Sequence, residues 1–106
     1  MGISDDLVSE IVGRVLTASN PKRIVLFGSA ATGRMTRDSD IDLLITEPEP
    51  GDTRQKSVQI SATLRGLGYG FDVIVMREER FQETKDVIGG IAYPANKYGK
   101  VIYEGA

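Results

Sequence analysis

The chain has 106 residues, a net charge of −2, and neither cysteine nor histidine. That length accommodates one core and a single domain spanning 1–106; the missing residue types exclude disulfides, thiolate or imidazole metal sites, Ser–His triads and imidazole acid–base chemistry. The mildly acidic balance argues against direct nucleic-acid binding, no apolar run nears the roughly 20 residues of a membrane span, and the lack of both cysteine and a signal peptide fits a cytoplasmic chain.

In chain order, Ser4 is placed to cap a helix whose first turn carries Asp5 and Asp6, where negative charge suits the helix dipole. Leu7, Val8, Ile11, Val12, Val15 and Leu16 recur at helical spacing and predict one apolar face, ended by Asn20-Pro21. Ile24–Phe27 predicts a short apolar strand that Gly28 stops, since glycine permits a sharp bend and a close approach. Ser29 follows with a hydroxyl, and Ala30, Ala31 and Thr32 can begin a helix whose first amides suit an anion. A second strand runs to Ile45 and opens on Asp40 and Asp42, which alternate with the core residues Ile41 and Leu43.

Past the Pro-rich loop Glu47–Gly51, a helix is predicted from Thr53 to Arg65, with Val58, Ala62 and either Leu64 or Arg65 on its buried side. Gly66, Gly68 and Gly70 read as a helix end and a turn, because no strand precedes them to make a dinucleotide loop. Phe71–Met76 forms a third strand with Asp72 at its start. Glu78–Lys85 reads as a surface turn or short helix, Ile91–Tyr98 as a short helix, and Val101–Tyr103 as a closing strand. Tyr93, Tyr98 and Tyr103 read as core or interface aromatics.

Topology follows from where the polar residues fall. Gly28-Ser29 ends strand one whereas Asp40 and Asp42 begin strand two, so a shared site requires those strands to be antiparallel. Asp72 begins strand three, which should lie parallel to strand two with the 53–65 helix as the crossover. The expected fold is α/β, a small mixed β-sheet flanked by helices, with three aspartates at one edge. Carboxylates sharing a face repel unless a cation lies between them, and hard oxygen ligands suit Mg²⁺ held jointly with substrate phosphates.

Other readings fit less well. Gly28–Met35 nearly spells a P-loop, but Arg34 replaces the lysine and Met35 the Mg²⁺-binding hydroxyl. Asp38, Asp40, Asp42 and Glu49 match positions 1, 3, 5 and 12 of an EF-hand, but Leu43 stands where that loop needs glycine. A merely solvated strand start explains one aspartate better than three beside a Gly-Ser turn.

The pattern G-S-x10-D-x-D, with Asp72 in a later strand, resembles the nucleotidyltransferase superfamily of the DNA polymerase beta type. The short chain and its closing KYGKVIYEGA resemble the minimal nucleotidyltransferase (MNT) branch, whose members are often encoded beside a HEPN-domain partner. The resemblance implies that Asp40, Asp42 and Asp72 hold two Mg²⁺ ions, that Asp72 helps deprotonate the acceptor, and that Gly28 and Ser29 hold the outer phosphates of ATP. It further implies transfer of AMP to a hydroxyl, a tyrosine of a cognate HEPN ribonuclease toxin, so that the protein acts as antitoxin. The alternative is a non-catalytic module that neutralises the same partner by contact. An aminoglycoside-modifying relative would need a second domain. Many relatives carry a basic residue shortly after the serine; here Ala31 and Thr32 stand there, and Arg34 or Arg37 could supply the charge.

Overall fold

The computed structural model describes residues 3–33, 36 and 38–105. Helix α1 (Asp5–Leu16) begins where the Ser4 hydroxyl accepts from the Leu7 amide at 3.2 Å. It buries Ile11 and Val15, with Leu7 and Val12 packed beside them. The helix stops at Leu16, five residues before the proline, with Thr17 as its cap and Leu16 itself 41% exposed. The apolar stripe is therefore narrower than its sequence suggests.

Strand β1 (Arg23–Phe27) leads through Gly28 into the single-turn helix α2 (Ser29–Thr32). Strand β2 (Ile41–Glu47) and the crossover helix α3 (Thr53–Thr63) follow, then strand β3 (Phe71–Arg77). Helix α4 (Glu78–Thr84), helix α5 (Ala92–Tyr98) and strand β4 (Lys100–Glu104) complete the chain. The sheet order is β3-β2-β1-β4. Both partners of β1 are antiparallel to it, and β2 and β3 are parallel, as the placement of the aspartates requires.

Each face of the sheet has its own core. Ile41, Leu43 and Ile45 alternate along β2 into a cluster with Ile11 and Val15 of α1, Ile60 of α3 and Ala30 of α2. Leu44, between them, packs on the other face with Phe81 of α4 and Ala92 and Ala95 of α5. Helix α4 is thus anchored by Phe81, its one large apolar side chain, 3% exposed. In α3 the buried residues are Ile60 and, just past the helix, Leu64, whereas Val58 is 65% exposed and Ala62 faces solvent. Ile60 and Leu64 are four apart and stack on one helical face, which leaves Val58 on the opposite side. Tyr98 is also exposed rather than in the core. Arg14 ties α1 to the end of α3, donating to the carbonyls of Thr63 at 3.2 Å and Arg65 at 2.8 Å. A cation at a helix C-terminus satisfies orphan carbonyls there.

A half-buried ion pair joins β1 to α4. Arg23 donates to both carboxylate oxygens of Glu78 at 3.0 and 2.9 Å, and its guanidinium lies 5.5 Å from the Phe81 ring centre. Burial opposes ionisation of Glu78, but hydrogen bonds from Arg23 and Gln82 outweigh it and hold the group below its ordinary 4.5. A carboxyl lowered in the folded state stabilises the fold above the unfolded pKa, and that contribution fades as pH falls through the folded value. Melting temperatures measured below about pH 4.5 should therefore fall less steeply for Glu78→Gln than for the native chain. Equal acid slopes would show that this pair does not contribute.

Candidate active site

The β1–β2 ladder pairs Phe27 with Asp42, so the turn after Phe27 lies directly over that aspartate. Gly28 has φ +70° and ψ −150°, a conformation that disfavours any residue with a Cβ. The neighbourhood forbids a side chain as well, because a Cβ on Gly28 would overlap Asp42 Oδ2 and lie 3.2 Å from Cγ. The Gly28 carbonyl accepts from the Ala31 amide at 3.1 Å and the Thr32 amide at 3.3 Å, closing α2. Ser29, the first residue of α2, is half-buried.

On the other side of β2, the parallel register places Asp72 directly beside Asp42. Asp42 shares the sheet face of Leu44, since alternate strand residues point the same way. Asp40 sits just before β2 and is exposed; Asp72 is exposed and Asp42 half-buried. Burial first, then the charges of Asp72 and Asp40, push the Asp42 carboxyl above its ordinary value. The three aspartates singled out in the sequence therefore occupy one edge, where Asp72 and Asp40 act electrostatically on Asp42 and Gly28 lies against Asp42. Arg34 and Arg37, considered as phosphate contacts, lie outside the described residues.

Among the described residues, no group of three carboxylates is drawn close enough to hold a metal ion unaided. The donor set nonetheless suits Mg²⁺, which binds through one or two carboxylates and takes its remaining ligands from water and substrate phosphates. An open cavity of about 510 Å³ lies elsewhere, lined by Glu47 and Arg77 at the far ends of β2 and β3 together with Asn20, Pro48, Glu49 and Glu79. Its one buried carboxylate, Glu47, accepts from Ser19 and has Lys56 at 4.0 Å. Those partners account for its burial structurally.

One contact escaped the sequence reading. Gly70, taken there as a turn glycine, abuts Asp40: a Cβ on Gly70 would overlap Asp40 Oδ1. Nothing in the local sequence signals this, because the two residues meet only once β2 and β3 are paired.

Comparison with known proteins places these features in a family. No curated protein sequence matches significantly. Among solved structures, a toxin–antitoxin pair crystallised with AMP-PNP aligns with TM-score 0.69 at 19% identity, over 92% of this chain and 73% of the other. A provisionally named nucleotidyltransferase from Sulfolobus solfataricus aligns with TM-score 0.61 at 24% identity, over 93% and 78%. A complex of tri-AMPylated Shewanella oneidensis HEPN toxin with MNT antitoxin aligns with TM-score 0.57 at 18% identity, over 96% and 74%. At such identities these likenesses establish the fold. The sequence model described as "Nucleotidyltransferase domain" matches residues 8–90, from α1 through the third aspartate and α4, so the chain belongs to the nucleotidyltransferase domain family.

Proposed function

We propose that the protein is an Mg²⁺-dependent nucleotidyltransferase that moves AMP from ATP onto a tyrosine hydroxyl of a cognate HEPN toxin, and so acts as its antitoxin. The observation that carries this reading is the pairing of Asp42 with Asp72 across β2 and β3 while Gly28 closes on the Asp42 carboxylate. The similar toxin–antitoxin structures, one with AMP-PNP and one with an AMPylated toxin, support the choice of nucleotide and partner.

In this reading Asp40, Asp42 and Asp72 hold two Mg²⁺ ions, and Gly28 and Ser29 receive the outer phosphates. When bound, the ions neutralise charge on the triphosphate and lower the pKa of the acceptor hydroxyl. Asp72 takes the acceptor proton as the hydroxyl oxygen attacks the α-phosphorus. The bond to the bridging oxygen breaks and pyrophosphate leaves. Burial first, and then the charges of Asp72 and Asp40, disfavour the Asp42 anion, and a cation beside it would relieve that cost.

The second reading, neutralisation of the partner by contact alone, would not need a carboxylate cluster that costs stability through repulsion. Intact mass of the partner after incubation with ATP and Mg²⁺ separates the two. A gain of one AMP moiety per modified tyrosine is expected. Loss of toxin activity with no mass change would favour contact alone.

A further inference from the structure

We infer that Gly70 is a positioning residue for Asp40, and that the site depends on there being no side chain at position 70. The inference builds on the role proposed above for Asp40 as a metal ligand. Gly70 immediately precedes β3, and its carbonyl accepts from the Ile41 amide at 2.9 Å. Ile41 is the residue directly after Asp40, so this one hydrogen bond fixes the Gly70 backbone beside the aspartate. A Cβ on Gly70 would overlap Asp40 Oδ1, approach Cγ at 3.2 Å and lie 3.9 Å from Oδ2. The Asp40 carboxylate thus rests on a bare Cα.

The neighbouring glycines show that this is a different use of the residue. Gly66 and Gly68 both have φ +89° and nothing within 4 Å of an added Cβ. They are turn glycines, chosen for conformation. Gly70 is not among the positive-φ glycines, so its backbone would accept alanine and only the contact with Asp40 argues against it. Asp40 is exposed and its carboxylate can swing away. Alanine at position 70 should therefore cost the fold little and the site a great deal. With Gly28 against Asp42 and Gly70 against Asp40, two of the three carboxylates are each seated on a glycine from a different segment.

The test is a double-mutant cycle read by Mn²⁺ affinity, measured by electron paramagnetic resonance on the protein with and without a non-hydrolysable ATP analogue. Gly70→Ala should melt at the native temperature in metal-free buffer and bind Mn²⁺ about tenfold or more weakly, the usual effect of disturbing a residue that orients a metal ligand. Asp40→Ala should weaken binding at least as much. In the Asp40→Ala background, Gly70→Ala should cause no further loss, since residues acting through one another are not additive. Native affinity in Gly70→Ala, a further loss on top of Asp40→Ala, or an unfolded Gly70→Ala variant would each overturn the inference while leaving the proposed function standing. If the native chain binds no Mn²⁺ in either condition, the metal reading falls, and this inference falls with it.

Discussion

Asp72→Asn is expected to leave the protein folded and able to bind its partner, yet to slow nucleotide transfer by about a hundredfold or more. Asp72 is exposed at the start of β3, so the fold has little stake in its charge. Asparagine preserves its size and much of its hydrogen bonding. What it removes is the negative charge that lies beside Asp42 in the parallel register. Two consequences follow together. On the proposed mechanism the acceptor hydroxyl would lose its base and one metal a ligand, which accounts for the expected rate. The Asp42 carboxyl also loses the charge of Asp72 that helps raise it, so Asp42 should ionise at lower pH in the variant. Initial rates of AMP attachment across a pH series measure the first, and carboxyl chemical shifts measure the second. Transfer at the native rate would remove Asp72 from the mechanism.

Gly28→Val should abolish ATP binding while folding survives at reduced stability. A β-branched residue at φ +70° and ψ −150°, a region that essentially only glycine occupies, costs about 1–3 kcal/mol in backbone strain, against total stabilities of about 5–15 kcal/mol. For a domain of this size that corresponds to a melting temperature lower by roughly 4–24 °C. The larger effect is local. The new Cβ would occupy the position of Asp42 Oδ2, so the carboxylate must rotate out of the edge it shares with Asp72 and Asp40. A circular-dichroism melt and an ATP titration on the same sample separate the two effects. Normal ATP binding by the variant would show that this turn is not the phosphate site.

Much of the fold and of the candidate site was legible in the sequence because position and chemistry agreed. Gly28-Ser29 closes one apolar run, and Asp42 and Asp72 open two others; only an antiparallel β1–β2 pair and a parallel β2–β3 pair bring those ends together. The face of α3 was not legible. TRQKSVQISAT offers only Val58, Ile60 and Ala62 as apolar residues, and their spacing of two favours no helical face. Ile60 is selected by what β2 and β3 present to it, and Leu64 completes that face from beyond the helix. Helix α4 was hard to place for a related reason, since a single phenylalanine fixes a seven-residue helix to the sheet. Gly70 was misread because its constraint is a neighbour thirty positions away in sequence and invisible until the strands pair.

The most direct test of the central claim uses ATP labelled at one phosphate or another. Native protein, Mg²⁺ and the proposed HEPN partner are incubated with α-labelled or γ-labelled ATP, and the partner is then denatured and counted. Attack at the α-phosphorus with loss of pyrophosphate predicts label on the denatured partner from α-labelled ATP and none from γ-labelled ATP, with no transfer when Mg²⁺ is chelated. Label from the γ-position, or a partner that is neutralised without acquiring either label, would contradict the account.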